Sequence, residues 1–169
     1  IEREGAHNFL KQVSGIVVPG GFGSRGVDGM IETAKYAREN QIPYLGLCLG
    51  MQVMVVEYAR NVLGLQKAHS AEFNPETEHP VIHIMTEQVS VIDKGGTMRL
   101  GTYPCQLVEG SKAFKSYGTD VVNERHRHRF EFNNSFRKSM DSAGLLASGL
   151  SPDGELVEIT EILDHPFML

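Results

Sequence analysis

Tyr44-Leu45-Gly46-Leu47-Cys48-Leu49-Gly50-Met51-Gln52 is an apolar run that breaks at Gly-x-Cys-x-Gly and continues as a helical pattern. A buried strand that enters a helix through two glycines flanking one thiol has the form of a nucleophile elbow, with sulfur in place of hydroxyl. The nucleophile of an elbow occupies a sharp, strained bend. Its neighbours must therefore be nearly free of side chains, and Gly46 and Gly50 supply that clearance. The helix that follows aims its first amides at Cys48, which favours thiolate and offers donors to a developing oxyanion. A cysteine merely buried between strand and helix is the competing reading, and the paired glycines weigh against it. Cys105 lacks that setting and reads as structural.

Upstream, residues 15–18 form a β-branched run stopped by Pro19-Gly20-Gly21, as a buried strand would be. Asp28 is placed to cap a helix running to Glu39, with Asn40 at its end. Residues 43–47 give the next strand, and 50–63 a largely buried helix closed by Gly64, with Met51, Met54 and Tyr58 as core contacts. Strand, helix, strand, helix predicts parallel pairing through right-handed crossovers. Downstream, residues 80–85, 106–108, 121–125 and 129–132 read as strands, and 135–143 as a short helix ended by Gly144. Residues 145–148 and 156–162 flank Ser151-Pro152-Asp153-Gly154 as a hairpin. The expected fold is α/β in one domain, a mainly parallel sheet with antiparallel strands appended.

Two further stretches carry chemistry. In Val17-Val18-Pro19-Gly20-Gly21-Phe22-Gly23-Ser24-Arg25-Gly26 the glycines expose backbone amides between a strand and a helix. The stretch matches neither Gly-x-Gly-x-x-Gly nor the Walker loop, and a plain tight turn would explain it alone. In a parallel sheet, however, this loop and the elbow emerge at the same ligand-binding edge, which makes Gly21 a candidate second oxyanion donor facing Cys48. In Glu124-Arg125-His126-Arg127-His128-Arg129-Phe130-Glu131, a strand would send arginines to one face and histidines to the other. Anion or substrate recognition and a solvated charged strand both fit it. Two histidines fall short of a metal site, and none is assigned. Glu72 reads by composition as a surface carboxylate.

The bulk numbers exclude several classes. The chain has 169 residues with 41% apolar and 22% charged, which is the composition of an ordinary globular domain. A net charge of −5 argues against a nucleic-acid binder. No apolar run is long enough for a membrane span and no leader is visible. Two cysteines do not make a secreted disulfide scaffold, so a cytoplasmic protein is expected.

Together these residues resemble the class I glutamine amidotransferase family. Within it they are most similar to the CTP synthase branch, on Gly20-Gly21-Phe22-Gly23-Ser24-Arg25-Gly26, the elbow, Gly95-Gly96-Thr97-Met98-Arg99-Leu100-Gly101 and the Glu124 to Arg129 run. The resemblance extends through Asp164-His165-Pro166-Phe167. It implies the three-layer, flavodoxin-like form of the α/β fold. It implies Cys48 as the nucleophile that forms a γ-glutamyl thioester, and Gly21 and Leu49 as oxyanion donors. Glutamine would be held at Gly21, Leu49, Gly50, Met51, Gln52, Glu72 and Arg129, with Glu72 meeting the α-amino group. Phe22, Arg25 and Gly26 would lie where GTP activates the reaction. No cofactor is implied within residues 1–169. ATP and Mg2+ would serve a synthetase domain preceding residue 1, which aminates UTP, and the intact enzyme would be a homotetramer. The family's His and Glu belong to a Gln-x-His-Pro-Glu-type motif not found in these residues. His165, followed by Pro166-Phe167, is not a substitute. Without that pair, and with the family's opening strands also missing before Ile1, the domain is expected to be incomplete at both ends and nearly inactive alone. An amidotransferase of GMP or carbamoyl phosphate synthesis, and a non-catalytic module with the same fold, are the rival readings.

Overall fold

The computed structural model describes residues 1, 5–84 and 99–169. Of the sequence readings, Met85 and the Gly95 to Met98 part of the Gly95 to Gly101 motif lie outside the described residues. The order of elements is α1 (Ala6–Leu10), β1 (Ile16–Val18), α2 (Val27–Glu39), β2 (Tyr44–Gly46), α3 (Leu49–Asn61), β3 (Ala68–Ser70) and β4 (His79–Ile84). There follow β5 (Arg99–Leu107), α4 (Lys112–Tyr117), β6 (Val121–His128), β7 (Phe130–Phe132), α5 (Arg137–Ala143), β8 (Leu145–Leu150) and β9 (Val157–Ile162).

The first half follows its hydrophobic pattern. β1 pairs in parallel with β2, Ile16 opposite Tyr44 and Val18 opposite Gly46. α3 is buried on nearly every side, from Leu49 through Ala59, and fills the space between the sheet and its neighbours. Its one acidic side chain, Glu57, is fully buried, so it needs a cation. Arg38 of α2 supplies it, Nε donating to both carboxylate oxygens at 3.1 and 3.0 Å, and this pair locks α2 onto α3. The start of α2 differs from the sequence reading. Gly26, at φ 81°, is the N-cap, and Asp28 lies inside the first turn, where its charge suits the helix dipole. The left-handed turn at Gly26 opens the helix two residues before the side-chain cap expected at Asp28. Met54 and Tyr58 are buried and Met51 packs against the same core.

The second half is antiparallel apart from β3 beside β4. A four-stranded sheet runs β6-β5-β8-β9, and the hairpin through residues 151–154 joins β8 to β9 as the turn chemistry implied. β5 is far longer than residues 106–108, because pairing with β6 along its whole length carries Gly101 and Pro104, which locally oppose a strand. α4 was unforeseen. Ser111 Oγ accepts from the Phe114 amide, and the buried Glu161 carboxylate accepts from the amides of Lys112 and Ala113. That second cap comes from a residue about fifty positions away and leaves no local signal.

Residues 167–169 run beside β2, with the amides of Tyr44 and Gly46 donating to Phe167 O and Leu169 O at 2.8 and 2.7 Å. His165 fixes this segment. It is 3% exposed, its Nε2 donates to Ala37 O, and the Phe167 amide donates to its Nδ1. Both ring nitrogens are committed to backbone, which makes His165 a structural residue.

Candidate active site

The elbow forms as its glycines require. Cys48 is the N-cap of α3 at φ 54° and ψ −103°, a positive-φ conformation that a non-glycine residue holds only at a cost of about 1–3 kcal/mol. The surroundings determine it fully. Leu47 N–H donates to Val18 O at 2.9 Å, and Gln52 N–H to Cys48 O at 3.1 Å. A side chain built at Gly46 would strike the backbone of Gly50 and Met51 at 2.5–2.7 Å, and one at Gly50 would strike Val18 O at 2.1 Å.

The Pro19-Gly20-Gly21 turn lies against this bend. A Cβ on Gly20 would be 3.4 Å from Cys48 Cβ and 3.9 Å from its Sγ, and one on Gly21 would be 3.4 Å from Leu49 Cδ2. Cys48 is accessible, and its partly desolvated thiol opens into a cavity of about 560 Å³ lined by Gly21, Phe22, Cys48, Leu49, Gln52, Glu72, Ile84, Arg127, His128, Arg129 and Phe130. Cys105 is fully buried and remote from it in the β5 core.

The structure thus gathers Gly21, Phe22, Cys48, Leu49, Gln52, Glu72 and Arg129 around one space. Gly50 and Met51 stand behind that wall. Gly50 O accepts from the buried Tyr44 hydroxyl at 2.7 Å, and Met51 packs on the core. Arg25 and Gly26 are not in the lining; Arg25 is exposed and Gly26 caps α2. Ile84, Arg127, His128 and Phe130 were not assigned to the site from sequence. Arg127 and His128 point to opposite faces of a straight strand, yet both reach the cavity, because the chain bends at Arg129 between β6 and β7. Gln52 secures that bend. Its Nε2 donates to Phe130 O at 3.0 Å, tying the elbow helix to β7. The Arg127 guanidinium stands 5.6 Å from the ring centroid of Phe22, a residue 64% exposed.

The charges on the wall are complementary to a zwitterion. Arg129 Nε is buried without a hydrogen-bond partner among the described residues. Burial pushes the Glu72 carboxyl above its ordinary range, and Arg129 partly offsets this. Burial also pushes the Cys48 thiol up; the Leu49 amide pulls it down, and the Glu72 charge raises it further. Burial holds the His128 imidazole low, with His126 and Arg99 adding to that. His128 has no nitrogen to spare for the thiol, since its Nδ1 contacts Phe130 O at 3.0 Å and its Nε2 contacts His126 Nδ1 at 3.2 Å.

Glu72→Gln removes a negative charge that disfavours thiolate. The Cys48 pKa should fall, and alkylation by iodoacetamide at pH 8 should run severalfold faster, because the rate follows the thiolate fraction. Peptide mass spectrometry of Cys48 against time measures it. An unchanged or slower rate would mean that the carboxylate is not felt at sulfur.

The glutamine amidotransferase class-I family model matches residues 2–168. The chain is 62% identical over 169 residues to the CTP synthase of Dehalococcoides mccartyi, covering 100% of this chain and 31% of that protein. It is 63% identical over 155 residues to the CTP synthase of Bacillus subtilis, covering 92% and 29%. The chain therefore spans about a third of the length of the curated relatives it matches. Among solved structures it resembles the glutaminase domain of Trypanosoma brucei CTPS with bound acivicin, at a TM-score of 0.88 and 41% identity, covering 96% of this chain and 63% of that one. No helix among the described residues is long and apolar enough to cross a membrane.

Proposed function

The chain belongs to the glutamine amidotransferase class-I family, and we propose that it is the glutamine-hydrolysing part of a CTP synthase. The observation that carries this reading is Cys48, held at a glycine-cleared bend and opening into a cavity with Glu72 and Arg129 on its wall. An α-amino acid brings one ammonium and one carboxylate, and these two side chains answer them. With the substrate so held, its side-chain amide extends toward sulfur.

Cys48 thiolate attacks the amide carbon. The carbonyl π electrons move to oxygen, and that oxyanion accepts from the Gly21 and Leu49 amides. The C–N bond then breaks, the nitrogen takes a proton and leaves as ammonia, and a γ-glutamyl thioester remains. Water attacks the thioester, releasing glutamate and restoring the thiol. Gly50 and Met51 serve as the backbone behind the donors, and Gln52 holds the cavity's β7 wall. The family's His–Glu pair supplies the proton transfers. Among the described residues no free imidazole faces Cys48, so these residues alone turn glutamine over hardly at all.

The ammonia passes to an ATP- and Mg2+-dependent synthetase domain that aminates UTP, in a cytoplasmic homotetramer. GTP acts at the cavity mouth around Phe22, Arg25 and Gly26. The exposed Phe22 ring facing the Arg127 guanidinium there is a surface suited to a purine base.

The deciding experiment follows the amide nitrogen. Glutamine labelled with ¹⁵N in its side chain is given, with ATP and Mg2+, to the protein that joins this chain to its synthetase. The label should enter CTP when UTP is present, and neither GMP from XMP nor carbamoyl phosphate from bicarbonate. Label in one of the latter products would reassign the pathway while leaving the glutaminase intact. Label in no acceptor and no free ammonia would remove the glutaminase reading itself.

A further inference from the structure

His126 and His128 stand two positions apart on β6 and therefore share one face of the strand. That face turns toward Glu158 of β9, whose side chain is 3% exposed. His126 Nδ1 lies 3.2 Å from His128 Nε2 and 3.5 Å from Glu158 Oε2, and the three ligand atoms fall within 4.8 Å of one another. Tetrahedral zinc, with bonds to nitrogen of about 2.0–2.1 Å, separates neighbouring ligand atoms by about 3.3 Å. From this convergence we infer that His126 Nδ1, His128 Nε2 and Glu158 Oε2 form a three-ligand site for a zinc-class divalent cation.

The atoms behind the ligands support this. Phe130 O can only accept, so His128 Nδ1 carries the ring proton and Nε2 presents a lone pair to the site. A backbone carbonyl on the far nitrogen is the usual device that orients a metal-binding imidazole. Arg99 pairs with the carboxylate by charge: its Nη2 stands 2.6 Å from Glu158 Oε1, a contact outside hydrogen-bond geometry that leaves Oε1 without a hydrogen-bond partner among the described residues. Its Nη1 donates to Oε2 at 2.9 Å, and a cation at Oε2 would take the place of that hydrogen bond, leaving the ion-pair contact at Oε1. Two imidazoles and a glutamate are a donor set that zinc takes in proteins. His126 Nε2 is buried without a partner among the described residues and does not discriminate, because it is left so with or without a cation.

The site also has a place in the fold. β6 and β9 are the two outer strands of the four-stranded sheet. β5 meets β8 only at Gln106–Leu150 and Leu107–Gly149, so no backbone ladder joins the His128 end of β6 to β9. A cation there would tie those strands together next to the bend that carries Arg129. The inference stands independently of the substrate assigned to Cys48.

The test uses the metal alone. The 169-residue chain, in a Cys48→Ser background so that the cavity thiol does not compete, is stripped of metal and titrated with Zn2+ and with Co2+. One equivalent should bind. Co2+ should give visible absorption of a nitrogen- and oxygen-ligated site without a thiolate charge-transfer band, and added Zn2+ should raise the unfolding midpoint in proportion to the logarithm of its concentration. His128→Gln and Glu158→Gln, which keep polar side chains in place, should each weaken Zn2+ by more than the roughly 10–100-fold typical of losing an outer partner. Absence of saturable binding by the parent overturns the inference. So does equal affinity in both folded variants, which would leave these residues as a hydrogen-bonded cluster only.

Discussion

Cys48→Ser is expected to lower glutamine-driven amination by a factor on the order of 10⁴ or more, the scale on which removing a covalent nucleophile acts. Amination driven by free ammonia should stay near its parent rate. The hydroxyl is smaller than the thiol and fits the same bend at φ 54°, so the cavity keeps its shape. What is lost is the accessible anion. Even the thiol is held above its ordinary range by burial and by Glu72, and an alcohol lies far beyond that. Initial rates with glutamine and with ammonium salt, on the protein that joins this chain to its synthetase, separate the two steps. Retained glutamine-driven turnover would show that another group attacks the amide. Loss of both rates would place Cys48 in the coupling between the two halves rather than in the hydrolysis.

Under the proposed chemistry the same electrostatics would give glutamine a part in activating Cys48. The Glu72 charge opposes thiolate formation at Cys48. A bound α-ammonium would neutralise that charge at its source, and the thiol would then respond more to the Leu49 amide and the start of α3. A glutamine analogue lacking the α-amino group should therefore bind less well and also leave Cys48 less reactive. The Glu72→Gln alkylation rate approximates this second effect with no ligand present.

How much of this was legible in the sequence depends on how local each cause is. The elbow was legible because its causes lie within nine residues: an apolar run, a thiol and two glycines. The β1–β2 pairing was legible because both strands are short apolar runs with a helical pattern between them. The start of α2 was misread because an acidic residue near a helix start looks like a cap even where a left-handed glycine precedes it. α4 went unseen because Glu161, from β9, supplies half of its cap. β5 was underestimated because its order comes from β6 rather than from its own residues. The cavity wall was half visible. Glu72 and Arg129 came only through family resemblance, and Arg127 and His128 lie beside a bend that alternation along a straight strand does not foresee. The cation site shows the same limit: β6 displays two ligands, and the third, Glu158, is thirty residues beyond His128 in the chain.

Gly50→Ala should destabilise the chain by at least about 3 kcal/mol, at or beyond the upper end of what overpacking costs in a core. The added methyl would lie 2.1 Å from Val18 O, 3.0 Å from Val18 C and 3.1 Å from Val18 Cβ. The closest of these is backbone, and it cannot yield freely. Val18 O is the acceptor for the Leu47 amide, and the Tyr44 hydroxyl holds Gly50 O from the other side. Relief requires β1 to leave the elbow or α3 to shift along its axis, and either movement spoils the bend at Cys48. Gly64→Ala is the matched control. Gly64 has φ 74° but nothing within 4 Å of its added Cβ, so its cost is that of backbone conformation alone, about 1–2 kcal/mol. Denaturant unfolding of the two variants beside the parent isolates the contact from the dihedral. A Gly50→Ala chain as stable as Gly64→Ala would mean that β1 does not press on α3 as described. The strained cysteine, whose conformation that pressure enforces, would then lose its physical basis.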